Sequence, residues 1–403
     1  MATPNPDRHR AFQAILPSTQ EPNNARITCV TYNLLAEQYT KGNHHTPCLH
    51  RYLHWPTRVP KIATELDAYD ADILCLQEVE RPFMEGTLSS HFASNNYRSV
   101  YYARAQKPTD PPAVTVAVPG PGPGPEEGVV LAYKSDRFHT LATATLRFAD
   151  LASPDTHTHK QTNTLPVAEG VHRLMLDKED GAALALLQDR HHHNSTLLAV
   201  STHLFWDPHY PEIKTLQAAL LCIGIQDFLS HHCHNSNNNM PIIIGGDFNS
   251  LPIKTKRDIF DPELDQYPGG TLISGVYQLM TTGSVDATHQ DHPYVRHLQD
   301  GSNGAGGALT TAGVGAFASA MAQRPLERNC KEPLFTVRSA SFQGCLDYIF
   351  YYREWFDVVE VLEMPYEDEE HLKEEVMRAF GPIPDEAWPS DHLAVGCRLQ
   401  WKS

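Results

Sequence analysis

Short apolar runs rich in β-branched and aromatic residues recur along the whole chain and predict β-strands. Polar or turn-forming residues bound each run, so the strands alternate with loops and with segments of helical periodicity. The runs lie at 27–35 (ITCVTYNLL), 72–79 (DILCLQEV), 128–138 (GVVLAYKSDRF), 196–205 (TLLAVSTHLF), 242–250 (IIIGGDFNS) and 345–352 (CLDYIFYY). A final strand is expected after the loop that begins WPSDH at residue 388.

Apolar residues at three- and four-residue spacing predict helices between these strands. Ile62, Leu66 and Tyr69 share one face of the first helix, and Pro60 is expected in its first turn, where the missing N–H costs nothing. A second helix is predicted at 211–229, and its inner face carries Ile213, Leu216, Leu220 and Ile223. An acidic helix is predicted at 366–380.

The chain has 403 residues, 41% of them hydrophobic, which is enough for one large domain or two small ones with an ample core. Residues 1–24 are expected to be a disordered lead-in, and residues 25–403 a single domain. Residues 107–127 are rich in Pro and Gly, and a low-complexity stretch begins at residue 300. Both are interpreted as surface insertions, at 107–127 and 300–315.

The formal net charge is −16, with 48 acidic and 32 basic residues. This balance alone argues against binding of nucleic acid, because counterion release from phosphates needs clustered Lys and Arg. A local basic groove or a bound metal ion would have to offset the negative field. Solubility alone is the simpler explanation of the charge.

The eight cysteines include no C-x-x-C pair, which is typical of free thiols in a reducing compartment. The histidine runs at 191–193 and 231–234 are interpreted as solvated loops rather than zinc sites. No apolar stretch approaches the length of a membrane span, and the N-terminus lacks a secretory apolar core. An intracellular location, cytoplasmic or nuclear, is therefore expected. Arg8 and Arg10 before a short apolar patch leave an organelle presequence as the weaker alternative.

Polar residues of chemically useful types lie within or just after the predicted strands, from one end of the chain to the other. One polar residue at a strand end is usually structural, but a set of this kind indicates strands that converge on one site. The set consists of Asn33, Glu78, His203, Asp247, Asn249, Asp347 and His392.

The segment GGDFN ends a run of three isoleucines with two glycines, which allow a sharp turn and a close approach of the backbone. Asp247 and Asn249 are two residues apart and therefore share a face in an extended chain. Together they can orient a water molecule and hold a phosphate oxygen. The structural alternative is an Asx-type turn that closes the strand.

Glu78 is predicted at the end of a buried strand, where an unpaired carboxylate is costly. A divalent cation removes that cost, and Mg²⁺ needs only one or two carboxylates because it keeps several waters. Such an ion also suits an acidic chain, because it neutralises a phosphodiester without a basic surface.

His392 lies next to Asp391 in the segment PSDHL. It is a candidate to contact the scissile phosphate or to stabilise its developing charge. Asp347 is a candidate to hold the imidazole of His392 in one tautomer. A structural role is the alternative for a lone histidine.

The motifs TYNLL, LQEV, STHL, GGDFNS, LDYIF and PSDHL, in this order, resemble those of the exonuclease–endonuclease–phosphatase superfamily. The resemblance spans residues 27–399. It implies an α/β (α+β) fold of the DNase I-like type, a four-layer sandwich in which two packed β-sheets are flanked by helices. The segments THLFWDPHYPEIKTLQ, LISGVYQLMTTGSV and LFTVRSASFQGCLDYIFY resemble the carbon-catabolite-repressor deadenylase branch, which shortens mRNA poly(A) tails.

The resemblance also implies roles for the site residues. Asp247 would orient or activate the attacking water, while Asn249 and His392 would hold the scissile phosphate and Asp347 would support His392. His203 and Asn33 would complete the phosphate and metal shell. The cofactor would be Mg²⁺, for which Mn²⁺ can substitute, and the implied metal ligands are Glu78, Asp247, Asn33 and Asp391.

In that branch a proline and a phenylalanine sandwich an adenine, and the matching residues here are Pro208 and Phe342. Stacking of a base on an aromatic ring contributes about 1–3 kcal/mol, so this role is physically sensible. Asn249 would add a contact to the edge of the base. The alternative for Phe342 is a core residue.

Two features depart from the branch. No leucine-rich repeats precede the predicted domain in this sequence, so docking to deadenylase-complex subunits is not expected to be stable. The Pro/Gly insertion is also unusual. Relatives such as nocturnin, the Angel proteins and the 2′,5′-phosphodiesterases share the catalytic set but differ in substrate, so that set indicates the reaction class better than the substrate.

Three functions are therefore compared. The first is a Mg²⁺-dependent 3′-to-5′ exoribonuclease that acts on poly(A) 3′ ends of RNA. The second is a phosphodiesterase or phosphatase on a small nucleotide, such as a 2′,5′-linked oligoadenylate or a phosphorylated dinucleotide. The third is a catalytically inactive binding module, which the intact acidic and amide set disfavours. An open groove beside Pro208 and Phe342 would favour RNA, and a closed pocket a small nucleotide.

Overall fold

The computed structural model describes residues 10–16, 26–41, 45, 47–104, 126–153, 165, 167–233, 240–254, 272–294, 307–324, 331–366 and 380–402. Its centre is a pair of β-sheets that pack face to face, with helices on both outer faces. The predicted four-layer sandwich is therefore confirmed. Within the described residues, no helix is both long enough and apolar enough to cross a membrane.

Among the described residues, the first sheet has seven strands in the order β1-β18-β19-β2-β3-β5-β4. Strands β2 and β3 run parallel, and the other neighbours are antiparallel. The strands are β1 (Phe12–Ala14), β2 (Arg26–Asn33), β3 (Ile73–Glu80), β4 (Tyr97–Ala103), β5 (Glu127–Lys134), β18 (Phe356–Leu362) and β19 (Val395–Trp401).

In the part of the chain that the structure describes, the second sheet has six strands in the order β14-β17-β9-β8-β7-β6. Here β8 and β9 run parallel, and the other neighbours are antiparallel. The strands are β6 (Phe138–Arg147), β7 (Gly181–Asp189), β8 (Ser195–His203), β9 (Ile242–Asp247), β14 (Ala318–Ser319) and β17 (Asp347–Tyr351).

The remaining strands form three small ribbons outside the two sheets. They are β10 (Ile253–Lys254) with β11 (Leu272–Ile273), β12 (Ser284–Val285) with β13 (Leu309–Thr310), and β15 (Val337–Arg338) with β16 (Gln343–Gly344). The α-helices are α1 (His50–Leu53), α2 (Trp55–Tyr69), α3 (Arg81–Phe83), α4 (Ser89–Ser94), α5 (Phe148–Ala152), α6 (Glu169–Leu176), α7 (Pro211–His232) and α8 (Gly275–Thr282). Short 3₁₀ turns at Glu37–Thr40 and Met321–Gln323 and a π-helical turn at Met84–Leu88 complete the elements.

Three apolar layers follow from the alternation of side chains along the strands. The central layer lies between the sheets and joins, for example, Cys29 and Leu131 to Ala199. On the outer face of the first sheet, Ile62 and Leu66 of α2 lie in one core with strand residues, as their spacing predicts. Helix α7 covers the second sheet, and its four predicted inner residues are all buried.

The expectation of a disordered lead-in is wrong for residues 10–16. Phe12 pairs with Leu362, so this segment adds an edge strand to the first sheet. Arg10 is buried, and its guanidinium donates to the hydroxyl of Tyr69 and to the carbonyl of Ala394. A three-residue strand whose partner is far away in sequence leaves too short an apolar pattern to be recognised.

Two further expectations need correction. Pro60 lies at the sixth residue of α2 rather than in its first turn, because the helix already begins at Trp55. The proposed insertion at 300–315 is wrong beyond residue 307, since Leu309 is buried and pairs with Val285. The earlier part of that insertion, most of the insertion at 107–127, where only 126–127 are described, and most of the helix predicted at 366–380 lie outside the described residues.

The two glycines at the end of β9 have separate steric causes. A Cβ on Gly245 would lie 2.7 Å from Sγ of Cys75 in the opposite sheet. A Cβ on Gly246 would lie 2.4 Å from the carbonyl oxygen of Thr202 on the neighbouring strand. The gap between the sheets at Gly245 and the gap between the strands at Gly246 are therefore both too narrow for a Cβ atom.

We expect Gly245→Ala to lower the free energy of unfolding by about 1–3 kcal/mol, the usual cost of an extra methyl in a packed core. Urea denaturation followed by circular dichroism measures the change. Gly86→Ala is the control, because nothing lies within 4 Å of a Cβ on that helical glycine. Equal stability of Gly245→Ala and the wild type would contradict the packing account.

Candidate active site

The predicted site residues converge at one end of the two sheets. Asn33 ends β2 and His203 ends β8, while Glu78 lies near the end of β3. Asp247 ends β9 and pairs across the antiparallel ladder with Asp347, the first residue of β17. His392 lies just before β19 and completes the set, since it bonds directly to Asp347. The parallel pairs β2/β3 and β8/β9 put two strand ends side by side in each sheet, so the predicted convergence of these strands on one site is confirmed.

Asn33 connects the two sheets across the site. Its amide nitrogen lies 2.9 Å from Oε1 of Glu78 and 3.0 Å from Oδ2 of Asp247, so it donates to both carboxylates. Its Oδ1 accepts the backbone N–H of Leu35. In this orientation the amide nitrogen of Asn33 donates to both carboxylates. Its oxygen faces the backbone of Leu35, so it is not placed to bind a metal ion between the carboxylates.

His392 and Asp347 form a buried pair, 2.8 Å between Nδ1 and Oδ2. Oγ1 of Thr336 donates to the same carboxylate oxygen at 2.5 Å and accepts the backbone N–H of Asp347. Nε2 of His392 faces Asp247 at 3.8 Å from its Oδ2, which is beyond hydrogen-bond distance. The imidazole is therefore fixed through one nitrogen and presents the other to the site.

Asn249 and His203 form a second hydrogen-bonded pair of the site. The amide nitrogen of Asn249 donates to Nε2 of His203 and to the carbonyl oxygen of Leu204, at 3.0 Å each. This orientation follows from the hydrogen-bond network, since only an N–H can pair with the carbonyl. To donate to a phosphate, the amide of Asn249 would have to give up one of these bonds.

Two site residues have strained backbones. Glu78 and Asn249 have φ angles of 55° and 47°, in the left-handed region that disfavours side chains. Each costs about 1–3 kcal/mol and persists only because the surroundings hold it. The carboxylate of Glu78 accepts the N–H of Ala36, and Asn249 is held by Oδ1 of Asp247 and by Nζ of Lys214.

Burial shifts the proton affinity of the carboxyl groups. It raises the pKa of Glu78 to about 7, with repulsion from Asp391 and Glu127 adding to the effect. Burial and the neighbouring charge of Asp347 raise the pKa of Asp247 to about 6. These carboxylates are thus crowded and poorly neutralised by the protein alone, an arrangement that favours a bound cation.

The two histidines shift in opposite directions. Burial lowers the pKa of His203 well below its usual value, and Arg104 and His392 lower it further, so its ring is neutral. Burial also lowers the pKa of His392, but the attraction of Asp347 outweighs this and raises it well above the usual value. His392 therefore carries a positive charge beside the carboxylates.

These charges bear on which residues can hold a metal ion. Ligand atoms of Asp247, Asp347 and His392 lie within 4.8 Å of one another, which is compact enough for a metal. However, Nδ1 of His392 is bonded to Asp347 and the ring is protonated, so His392 repels a cation. The carboxylates of Glu78 and Asp247 are a better donor set for a hard cation than a set that includes His392. Asp391 is close enough to repel the carboxylate of Glu78 and adds negative charge to this set.

Pro208 lies on the loop that follows His203, and Phe342 lies on the β15–β16 ribbon, whose Val337 pairs with His392. Pro208 is half-buried in a turn three residues before α7, and Phe342 is half-buried between β15 and β16. The ring of Phe342 lies over Gly344, and so does Leu251, two residues beyond Asn249. Their contact with a base stays a prediction.

Sequence reasoning missed the residues that hold these segments. Arg104 joins Glu127 of the first sheet to Asp180, at 2.7 and 2.9 Å, and Asp180 in turn accepts from Gln217 of α7. Oε1 of Gln217 accepts the backbone N–H of Phe205, which fixes the loop after His203. A polar residue such as Gln217 on the otherwise apolar helix α7 is the sequence signal that indicates this network.

Comparison with known protein families identifies the family of this chain. The sequence pattern of the Endonuclease/Exonuclease/phosphatase family matches residues 30–392, which include every site residue described above. The chain belongs to this family. The resemblance to its deadenylase branch is also confirmed, because the relatives include members of that branch.

Two relatives illustrate the similarity. Human 2′,5′-phosphodiesterase 12 is 24% identical over 383 residues, which is 94% of this chain and 52% of the relative. The CCR4-Not complex 3′-5′-exoribonuclease subunit Ccr4 of Saccharomyces cerevisiae is 26% identical over 384 residues, which is 93% of this chain and 39% of the relative. The chain thus spans about half the length, or less, of these relatives.

Two solved structures share the fold. The structure of ANGEL2, a 2′,3′-cyclic phosphatase, superposes with a TM-score of 0.66 and 20% identity, covering 97% of this chain and 98% of that one. The human Nocturnin catalytic domain with bound sulfate gives a TM-score of 0.57 and 18% identity, covering 98% of each chain. At this identity the superpositions support the fold alone.

The contact between His392 and Asp347 predicts non-additive substitutions. We expect Asp347→Asn and His392→Gln each to lower kcat/KM strongly, and the double variant to lose less than the product of the two. The coupling free energy should be about 0.5–3 kcal/mol, since the two groups act as one unit.

Steady-state kinetics on the four proteins measures this coupling. His172→Gln on α6, combined with Asp347→Asn, is the control, because the ring of His172 bonds the carbonyl of Ala152 in the outer layer. Full additivity of the Asp347 and His392 substitutions would contradict the assigned pair.

Proposed function

We propose that the chain is a divalent-metal-dependent 3′-to-5′ exoribonuclease that removes adenosines from poly(A) ends of RNA. The observation that carries the reaction class is the buried edge at which two crowded carboxylates, Glu78 and Asp247, face the charged His392–Asp347 pair. The similarity to the Ccr4 exoribonuclease subunits supports RNA as the substrate. The FWDP segment that carries Pro208 adds support, because it flanks the site on a fixed loop.

The chain's own residues divide the work as follows. Asp247, whose pKa lies near 6, is suited to accept a proton from the attacking water. The protonated His392 offers Nε2–H to a phosphate oxygen, and Asp347 stabilises that charge throughout. Asn33 keeps Glu78 and Asp247 at a fixed separation.

The residues present fit a hard divalent cation, and we propose Mg²⁺, with Mn²⁺ as a substitute. Glu78 and Asp247 would hold it, with Asp391 contributing charge and Asn33 holding both carboxylates by hydrogen bonds. Such an ion supplies neutralisation of the phosphodiester and of its developing negative charge. It would also offset the burial and the repulsion from Asp391 and Glu127 that together raise the pKa of Glu78.

A second function keeps specific support. Human 2′,5′-phosphodiesterase 12 is also similar to this chain, so a phosphodiesterase or phosphatase on a small nucleotide is the alternative. The test is incubation of the purified chain with labelled A20, U20, 2′,5′-linked oligoadenylate and a nicotinamide dinucleotide phosphate, with Mg²⁺ or EDTA. Stepwise shortening of A20 supports the proposal, and turnover of a small nucleotide alone overturns it.

We further propose that the chain works with subunits of a deadenylase complex and that its location is intracellular.

We expect Glu78→Gln to abolish hydrolysis and to weaken Mn²⁺ binding, because it removes a charged ligand without changing the size of the side chain. Isothermal titration of Mn²⁺ and initial rates in Mg²⁺ measure the two effects. Glu85→Gln is the control, since Glu85 is exposed and pairs only with Arg81 among the described contacts. Undiminished turnover of the wild type in excess EDTA would refute the metal assignment.

We expect Phe342→Ala to lower kcat/KM on A20 by a factor that corresponds to about 1–3 kcal/mol, and to affect U20 less, because purines offer the larger stacking face. The measurement is the ratio of A20 to U20 cleavage in the wild type and the variant. Phe342→Leu separates the two interpretations: it restores apolar packing over Gly344 but not stacking. If Phe342→Leu restores the wild-type ratio, Phe342 is a core residue.

A further inference from the structure

Arg58 of α2 is a buried cation beside the site. Only 1% of the residue is exposed, and it is among the largest fully buried side chains. Its guanidinium makes four hydrogen bonds among the described residues, and each is to a backbone carbonyl. The ring of Trp55 packs against it, 4.6 Å from the guanidinium carbon. Such a costly burial calls for a reason.

Three of the four carbonyls belong to the segments that carry the site, and the fourth is that of Leu53 at the end of α1. Nη1 donates to Leu34 at 2.8 Å and Nη2 to Leu35 at 2.6 Å, directly after Asn33. Nη1 also donates to Pro389 at 3.1 Å, three residues before His392. The first segment follows β2 and the second leads into β19, its antiparallel neighbour. Both lie beyond the residues that pair in the sheet.

The same segments hold further site groups. Ala36, the next residue after Leu35, donates its N–H to the carboxylate of Glu78 at 2.9 Å. Leu35 itself has a φ of 55°, a strained conformation that needs support. Displacement of this segment would therefore disturb Glu78 as well as Asn33.

Charge alone does not explain the burial. Burial lowers the pKa of Arg58 to about 10, although Asp391 and Glu78 attract its charge. No carboxylate is among its four hydrogen-bond partners. The planar fork that reaches several carbonyls at once is a property of arginine, which lysine lacks.

We propose that Arg58 is a positioning residue that fixes the segments carrying Asn33, Glu78 and His392 through its carbonyl contacts. The inference rests on the proposed hydrolytic function of the site. It makes geometry, rather than the positive charge, the contribution of Arg58.

Two substitutions separate geometry from charge. Arg58→Lys keeps the charge but loses the fork, whereas Arg58→Gln loses both. We expect both to lower kcat about 10- to 100-fold with little change in KM, as for displaced catalytic groups. We also expect both to weaken Mn²⁺ binding, because Glu78 loses support.

Arg137 provides a matched control. Its guanidinium is also buried and donates to the carboxylates of Asp189 and Asp72, which lie at the end of the two sheets away from the site. Arg137→Lys should lower the melting temperature but leave kcat and Mn²⁺ affinity unchanged in the folded protein. All assays are run on the full chain well below the melting temperature of each variant.

The outcomes are distinguishable. Tighter Mn²⁺ binding by Arg58→Gln, with wild-type behaviour of Arg58→Lys, would show that charge is what matters and would overturn the inference. Wild-type kcat in both variants would overturn it too, while leaving the proposed function intact. A wild-type chain that neither binds Mn²⁺ nor turns over any substrate refutes the proposed function, and this inference with it. If Arg58→Gln does not fold, Arg58→Lys decides alone by the kcat comparison.

Discussion

The close approach of the two sheets beside Gly245 lets site residues of both sheets meet. At that point no Cβ fits between β9 and Cys75 of the opposite sheet. Asn33 on one sheet can therefore bond both Glu78 of its own sheet and Asp247 of the other with one amide. A wider gap would break this connection, and the carboxylates would no longer face a common space. The packing of the core thus sets the geometry of the chemistry.

Burial at this edge has electrostatic consequences that local bonds only partly offset. The pKa values of Glu78 and Asp247 are raised, while that of His203 is lowered and that of His392 is raised by Asp347. A neutral and a charged histidine thus both lie close to the same oxygen of Asp247, at 3.5 Å for His203 and 3.8 Å for His392. Such separation of proton affinities between neighbouring groups is typical of acid–base sites.

Much of the fold and the site was predictable because it leaves local patterns. Asn33 and Asp247 follow apolar runs and Asp347 begins one, and the fixed direction of neighbouring strands brings them together. The edge strand at Phe12 and the buried Leu309 were not predictable, because their partners are distant in sequence and their own apolar patterns are very short. The orientation of the Asn33 amide also depends on a partner in the other sheet.

Chemistry and substrate contact are supported by different residues. The strand ends hold the carboxylates and His392, whereas the loop after His203 is held by Gln217, which links through Asp180 to Arg104. Arg104 in turn binds Glu127 of the first sheet. The start of this loop is bonded to the site, because the backbone of Leu204 donates to the carbonyl of Asp247 and accepts the amide of Asn249. Pro208 lies farther along the loop, beyond the point at which Gln217 holds Phe205. The reacting groups therefore identify a reaction class, and the substrate has to be read from the loop and from Phe342.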